Sequence, residues 1–247
     1  MGDKLLFLAD LHLCPEAPER LRFVCDFLRT QRHAAAGIFI LGDLFDYWVG
    51  AKQLRLRPWA EILEALAESL SGGPPAGVIG GNRDYLLDPA SLAPYGLLSL
   101  GMEHWFTRDG LRFCLVHGHM QFPDPPLSRL FLRFIQSGFM RRVAGAAPLA
   151  VSDFVATSLR RWRRFINWNK DPAKARRYDP ARFASFFERG ADVVICGHNH
   201  WARDYSPELS LPGKRLLAVG TWTSGPSYLE YSQGTFRLVD PIMLSHD

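Results

Sequence analysis

The sequence predicts an α/β fold with one functional site at the ends of several strands. Three observations carry this. Short runs rich in Ile, Val, Leu and Phe recur along the chain. Helix-like stretches alternate with the early ones. Five of the runs close on Asp, Asn or His. Ligands of open α/β sheets gather outside the carboxyl ends of the strands, so these closing residues are expected to converge.

The first run, "KLLFLAD", ends at Asp10. Pro18 to Gln31 follows, with Leu21, Val24, Phe27 and Leu28 at helical spacing. "GIFILGD" ends at Asp43. A second helix is expected from Pro58 to Leu70, with Ile62, Leu63, Leu66 and Leu70 on one face and Pro58 suited to a first turn. "GVIGGN" ends at Asn82, "LRFCLVHGH" at His117 and His119, and "ADVVICGHNH" at His198 and His200. Beyond Trp201, "RLLAVG", "SYLEY" and "GTFRLVD" read as strands joined by "TSGP" and "SQG" turns.

Between His119 and Pro180 the alternation breaks. Residues 120–179 read as a helical insertion between two pieces of the body, 1–119 and 180–247. "FPDPP" punctuates its start. Leu127, Leu130, Phe131, Phe134 and Ile135 mark one helix face, and a second helix is expected from Pro148. The insertion holds twelve Lys or Arg against four acids. It is therefore +8, while the whole chain is only +4. Basic and aromatic together, it suits a cap over an amphipathic ligand or a membrane interface, and an anionic partner is expected.

Composition narrows the class. With 247 residues, 47% apolar and 22% charged, the chain is expected to be a soluble globular protein with a core and an insertion. No apolar run is long enough to span a bilayer. The opening "MGDKLLFLADLHL" lacks a basic region and cleavage site, so a cytosolic location is expected. No two of Cys14, Cys25, Cys114 and Cys196 have C-x-x-C spacing, so reduced structural thiols are expected.

The candidate ligands are Asp10, His12, Asp43, Asn82, His117, His198 and His200. Read as extended segments, D-x-H and H-x-H each put two side chains on one side. Seven N and O donors suffice for two divalent cations with positions left for water and substrate. Carboxylate, imidazole and amide oxygen without thiolate suit Mn²⁺, Fe²⁺ or Zn²⁺. Asp43 is the natural bridge, since a carboxylate offers one oxygen to each of two cations.

In this order the motifs "DLH" at 10–12, "GDLFD" at 42–46, "GNRD" at 81–84, "HGH" at 117–119 and "GHNH" at 197–200 resemble those of the calcineurin-like metallophosphoesterases. The resemblance implies a β-sandwich flanked by helices (αββα), here with a helical cap insertion. It implies Asp10, His12 and His200 on one metal, Asn82, His117 and His198 on the other, and Asp43 between them. Most of that superfamily has histidine where this chain has Arg83. Arginine stays charged and cannot protonate a leaving group, but it can clamp a phosphate. A leaving phosphate needs no proton, because its second pKa is about 6. A pyrophosphate substrate is therefore expected, with Asn82, Arg83 and Asp84 as the catalytic segment.

"GNRD", "GDLFDYWVG" and "AVGTWTSGPSYLEY" resemble one branch, the UDP-2,3-diacylglucosamine pyrophosphohydrolases of lipid A synthesis. This implies Mn²⁺-dependent attack on the α-phosphorus of a UDP-linked diacylated glucosamine lipid. It also implies a peripheral position on the cytoplasmic face of the inner membrane, with neither nucleic acid nor an obligate protein partner. Arg83, His119, Asn169, Lys170, Lys174 and His198 are the expected substrate contacts. The branch has H-G-D where this chain has His117–Gly118–His119, so His119 is expected to support the ligands or donate to phosphate. The rival readings are a dinuclear phosphoesterase acting on nucleic acid or another nucleotide pyrophosphate, and a metal-free scaffold of the same fold.

Overall fold

The computed structural model describes residues 2–121, 137, 142, 146–152, 158, 178–223 and 225–241. Eleven described strands form two sheets. β1 (Lys4–Leu8), β2 (Ala35–Leu41), β3 (Ala76–Ile79) and β4 (Leu97–Ser99) run parallel in the first. β10 (Tyr228–Ser232) pairs antiparallel with β1, and β11 (Thr235–Val239) with β10. In the second sheet β6 (Leu111–Val116), β7 (Val193–Cys196) and β9 (Arg215–Ala218) are parallel. β5 (Glu103–Arg108) and β8 (Arg203–Asp204) close its edges antiparallel. The predicted strand runs correspond to β1, β2, β3, β6, β7, β9, β10 and β11.

Alternation within the strands builds the layers. Leu5 and Phe7 of β1, Phe113 and Leu115 of β6, Val193 and Ile195 of β7 and Leu217 of β9 face one shared core between the sheets. The opposite residues of β1, Leu6 and Leu8, face α1 (Pro18–Gln31) and α2 (Arg57–Leu70). The opposite residues of β6 and β7, including Cys114, Val194 and Cys196, face Phe186 and Phe187 of a short helix, Ala184–Glu188. Helices therefore cover the outer faces of both sheets, an αββα arrangement. Burial on both faces is why the central strands read as unbroken apolar runs. All four cysteines are buried and none forms a disulfide.

The sequence missed β4, β5 and β8. Three and two residues are too few for β4 and β8 to show periodicity. β5 did carry a signal: Asp109–Gly110 joins it to β6, both with positive φ, as a two-residue hairpin requires. Most of the insertion lies outside the described residues, including its first expected helix. Residues 149–152 are helical, at the place expected for the second. Leu149 packs on the body, and Lys52 Nζ donates to Ala147 O at 2.6 Å and Ser152 Oγ at 2.8 Å. Val151 is exposed. None of the described helices is long and apolar enough to cross a membrane.

Phe113 is fully buried where the sheets meet, stacked on Phe106 at 4.8 Å and edge-on to Tyr231 at 5.1 Å. Phe113→Ala is expected to lower stability by about 3–5 kcal/mol, read as a lower urea midpoint with an unchanged slope.

Candidate metal centre

Parallel pairing places the carboxyl ends of β1, β2 and β3 along one edge, and those of β6 and β7 along the matching edge of the other sheet. The predicted ligands sit just past those ends. Asp10 and His12 follow β1, Asp43 follows β2, Asn82 follows β3, His117 follows β6, and His198 and His200 follow β7. The structure brings all seven together.

At five of the seven the backbone is not extended. Asp10 (φ +52°), His12 (+47°), Asp43 (+50°), His198 (+71°) and His200 (+59°) occupy the left-handed region. D-x-H and H-x-H are therefore not the extended segments of period two that the sequence suggests. The strands end at Leu8 and Cys196, and the side chains converge because the chain turns left-handed there. For residues with a Cβ this costs on the order of 1–2 kcal/mol each. Backbone bonds hold the turns: Asp10 N donates to Gly42 O at 3.2 Å and His12 N to Asp43 O at 2.9 Å. Gly197 N donates to His117 O at 3.0 Å, joining the two histidine loops.

The side chains form two overlapping groups. Asp10 Oδ1 lies 3.4 Å from His200 Nε2 and 3.7 Å from His12 Nε2, and those two nitrogens are 3.1 Å apart. On the other side, Asn82 Oδ1 lies 3.0 Å from His117 Nε2 and 2.9 Å from His198 Nδ1. Asp43 spans them, with Oδ1 3.5 Å from His117 Nε2 and Oδ2 3.9 Å from His12 Nδ1. Asp10 also falls within reach of Asp43 and His117.

The residues fit a pair of divalent cations. Asp10 Oδ1 and His12 Nδ1 are buried and make no hydrogen bond. Such atoms are costly unless something else satisfies them. Asp10 Oδ2 is already engaged, accepting from His198 N at 2.7 Å. His117 Nδ1 donates to Leu41 O at 2.8 Å, which aims Nε2 at the cluster. Burial holds His12 and His198 well below the usual imidazole range, with Arg83 and neighbouring imidazoles adding to the effect. Both therefore keep lone pairs for a cation. Burial raises the Asp43 carboxyl, opposed by His117 and Arg83. At Asp10 burial pushes upward, but His200 and His117 outweigh it and the net shift is down.

The "GNRD" segment divides into three roles. Gly81 leaves room: a Cβ there would lie 2.1 Å from Asp43 Oδ1. Asp84 is fully buried and braces backbone, accepting from Gly81 N at 2.7 Å and from Asp43 N and Phe45 N, each at 3.3 Å. Burial, with Asp43 nearby, pushes its carboxyl up to about 7. Arg83 lies at the rim with its side chain about one-third exposed (32%). Its Nη1 donates to Asp46, its Nε lies 3.4 Å from Asp43 Oδ2, and its backbone N donates to Asp43 Oδ1 at 2.9 Å.

His119 is buried beside the cluster, its ring 5.4 Å from His117 and 6.1 Å from His198. Asn169, Lys170 and Lys174 lie outside the described residues. Sequence reasoning missed Asp46, although "GDLFD" places it three residues past Asp43. It also missed the residues behind the loops. Arg20 Nη1 donates to His12 O at 2.8 Å and Thr221 Oγ1 to Asp10 O at 3.1 Å. Neither contact follows from local spacing.

Comparison with known proteins agrees with this geometry. The calcineurin-like phosphoesterase family matches residues 3–202. A Sodalis glossinidius protein named UDP-2,3-diacylglucosamine hydrolase is 32% identical, covering 92% of this chain and 93% of its own. The Photorhabdus laumondii protein of the same name is 28% identical, covering 95% and 97%. A match over most of the chain, with that family's metal-binding residue types gathered at one sandwich edge, settles the relationship: this protein is a calcineurin-like phosphoesterase.

Proposed function

We propose that the protein hydrolyses the pyrophosphate of a UDP-linked 2,3-diacylated glucosamine, giving UMP and 2,3-diacylglucosamine 1-phosphate in lipid A synthesis. The observation that carries this reading is Arg83, a permanent cation held by Asp46 at the open rim of the ligand cluster. The name borne by the relatives supports the substrate class.

Asp10, His12 and His200 would hold one divalent cation, Asn82, His117 and His198 the other, and Asp43 both, with Mn²⁺ as the proposed metal. Bound there, such a pair lowers the pKa of water and offsets charge on phosphoryl oxygens. Arg83 supplies what the protein adds at the rim. Its guanidinium pairs with phosphate oxygens and offsets charge in the transition state. A water oxygen joins the α-phosphorus, and the bridging oxygen leaves with the sugar phosphate. That leaving group needs no proton, which suits an arginine in place of a histidine. Asp84 and Gly81 hold the segment against Asp43, so Arg83 and Asn82 keep their spacing. His119, His198, Asn169, Lys170 and Lys174 are the proposed further substrate contacts. The basic, aromatic insertion suits acyl chains and a peripheral position on the cytoplasmic face of the inner membrane.

Incubation with UDP-2,3-diacylglucosamine, Mn²⁺ and ¹⁸O-water is expected to yield labelled UMP and unlabelled lipid phosphate by mass. Label in the lipid phosphate overturns attack at the α-phosphorus. Turnover of DNA in place of the lipid favours a nuclease. Arg83→His is expected to lower anhydride hydrolysis about 10²-fold and to lower hydrolysis of a simple phosphodiester much less. A larger loss on the diester counts against the assigned role of Arg83.

A further inference from the structure

The insertion re-enters the described structure at Tyr178, which is only 4% exposed. Its hydroxyl donates to Gly197 O at 2.7 Å. Gly197 opens the loop that carries His198 and His200. The same hydroxyl presses on the other histidine loop: a Cβ on Gly118 would lie 2.3 Å from it. Gly118 separates His117 from His119 and has φ +99°. One phenol therefore sits at the seam between the loops, which are themselves joined by the Gly197 N to His117 O bond.

A second tyrosine secures the first. Tyr205 Oη accepts from Tyr178 N at 3.4 Å and from Asn199 Nδ2 at 3.1 Å, and the two rings meet edge-on at 5.9 Å. Asn199 lies between His198 and His200, and its Oδ1 accepts from Trp201 N at 3.1 Å. Phe183 packs against the other side of Tyr178 at 5.1 Å. The phenol ring is thus fixed by packing, and its hydroxyl is held against the Gly197 carbonyl.

We infer that Tyr178 is a positioning residue, fastening the exit of the insertion to the two loops that present His117, His198 and His200. It touches none of the candidate ligand atoms in the contacts described and acts through Gly197 and Gly118. Removing the hydroxyl takes one donor from the Gly197 carbonyl, which also accepts from Asn199 N at 2.9 Å, and frees the seam to shift. Residues that orient metal ligands from behind typically carry 10- to 100-fold in metal affinity. The inference deepens the two-metal reading above and is independent of the substrate's identity.

The test is Mn²⁺ affinity of the full-length protein, measured by titration with electron paramagnetic resonance detection of free Mn²⁺. Thermal unfolding of the metal-free protein is measured alongside it. Tyr178→Phe is expected to weaken Mn²⁺ binding about 10-fold or more. The control is Tyr231→Phe, which loses a hydroxyl bond of 2.8 Å to Asp109 away from these loops and should bind Mn²⁺ like the wild type. Tyr178→Met, which keeps apolar bulk and also lacks the hydroxyl, should weaken binding as Phe does. Wild-type affinity in Tyr178→Phe, with or without a lower unfolding temperature, overturns the inference alone. Equal weakening in the Tyr231 control also overturns it, since the effect is then general. A wild-type protein that binds no Mn²⁺ overturns the two-metal reading and this inference together.

Discussion

Asp10, Asp43 and Asp84 are three carboxylates with almost no exposure, gathered at one edge of the sandwich. Removing a carboxylate from water costs several kcal/mol unless opposite charge or hydrogen bonds replace the solvent. The surroundings of these groups answer that constraint in three ways. Asp84 accepts backbone amides. Asp10 and Asp43 face imidazoles. Arg83 lies against Asp43 and Asp46. Asp10 Oδ1, buried and without a hydrogen bond, marks where the protein's own groups are insufficient and a cation fits.

The fold exists around that edge. Parallel pairing aligns the carboxyl ends of β1 to β3 and of β6 and β7, and the apolar layer between the sheets sets the two edges against each other. A left-handed backbone at five of the seven predicted ligands then turns the side chains inward. Such conformations persist only where neighbours over-determine them. Here the neighbours are the bonds between loops, such as Asp10 to Gly42 and Gly197 to His117, and the glycines that leave space for them.

Arg83 and Tyr178 show two ways of using a rigid centre. Arg83 stands at the rim, part-exposed, with two acids limiting where its charge points. Tyr178 stands behind the loops, where its hydroxyl meets backbone rather than ligand atoms. In the proposed function the first would face substrate, and in the inference above the second would set how firmly the candidate ligands are held. Asp46, a short step along the chain from Asp43, holds Arg83 at the rim.

Much was legible in the sequence for simple reasons. Strands buried on both faces write themselves as apolar runs, and α1 and α2 as apolar faces of period 3.6, so those elements and the residues closing them could be placed. Ordered motifs of Asp, Asn and His named the residues that the structure gathers as candidate ligands, because cation chemistry restricts which side chains serve. Short edge strands escaped, since β4 and β8 bury too little to impose a pattern. The left-handed turns escaped as well, because a period of two holds only while the chain stays extended. What only tertiary structure decided was which groups meet across long separations. Asp46 at Arg83 and Tyr178 between Gly118 and Gly197 are products of strands pairing side by side within a sheet, and Arg20 at His12 O of α1 packing back over β1. No local spacing encodes which loops the pairing of distant strands sets side by side.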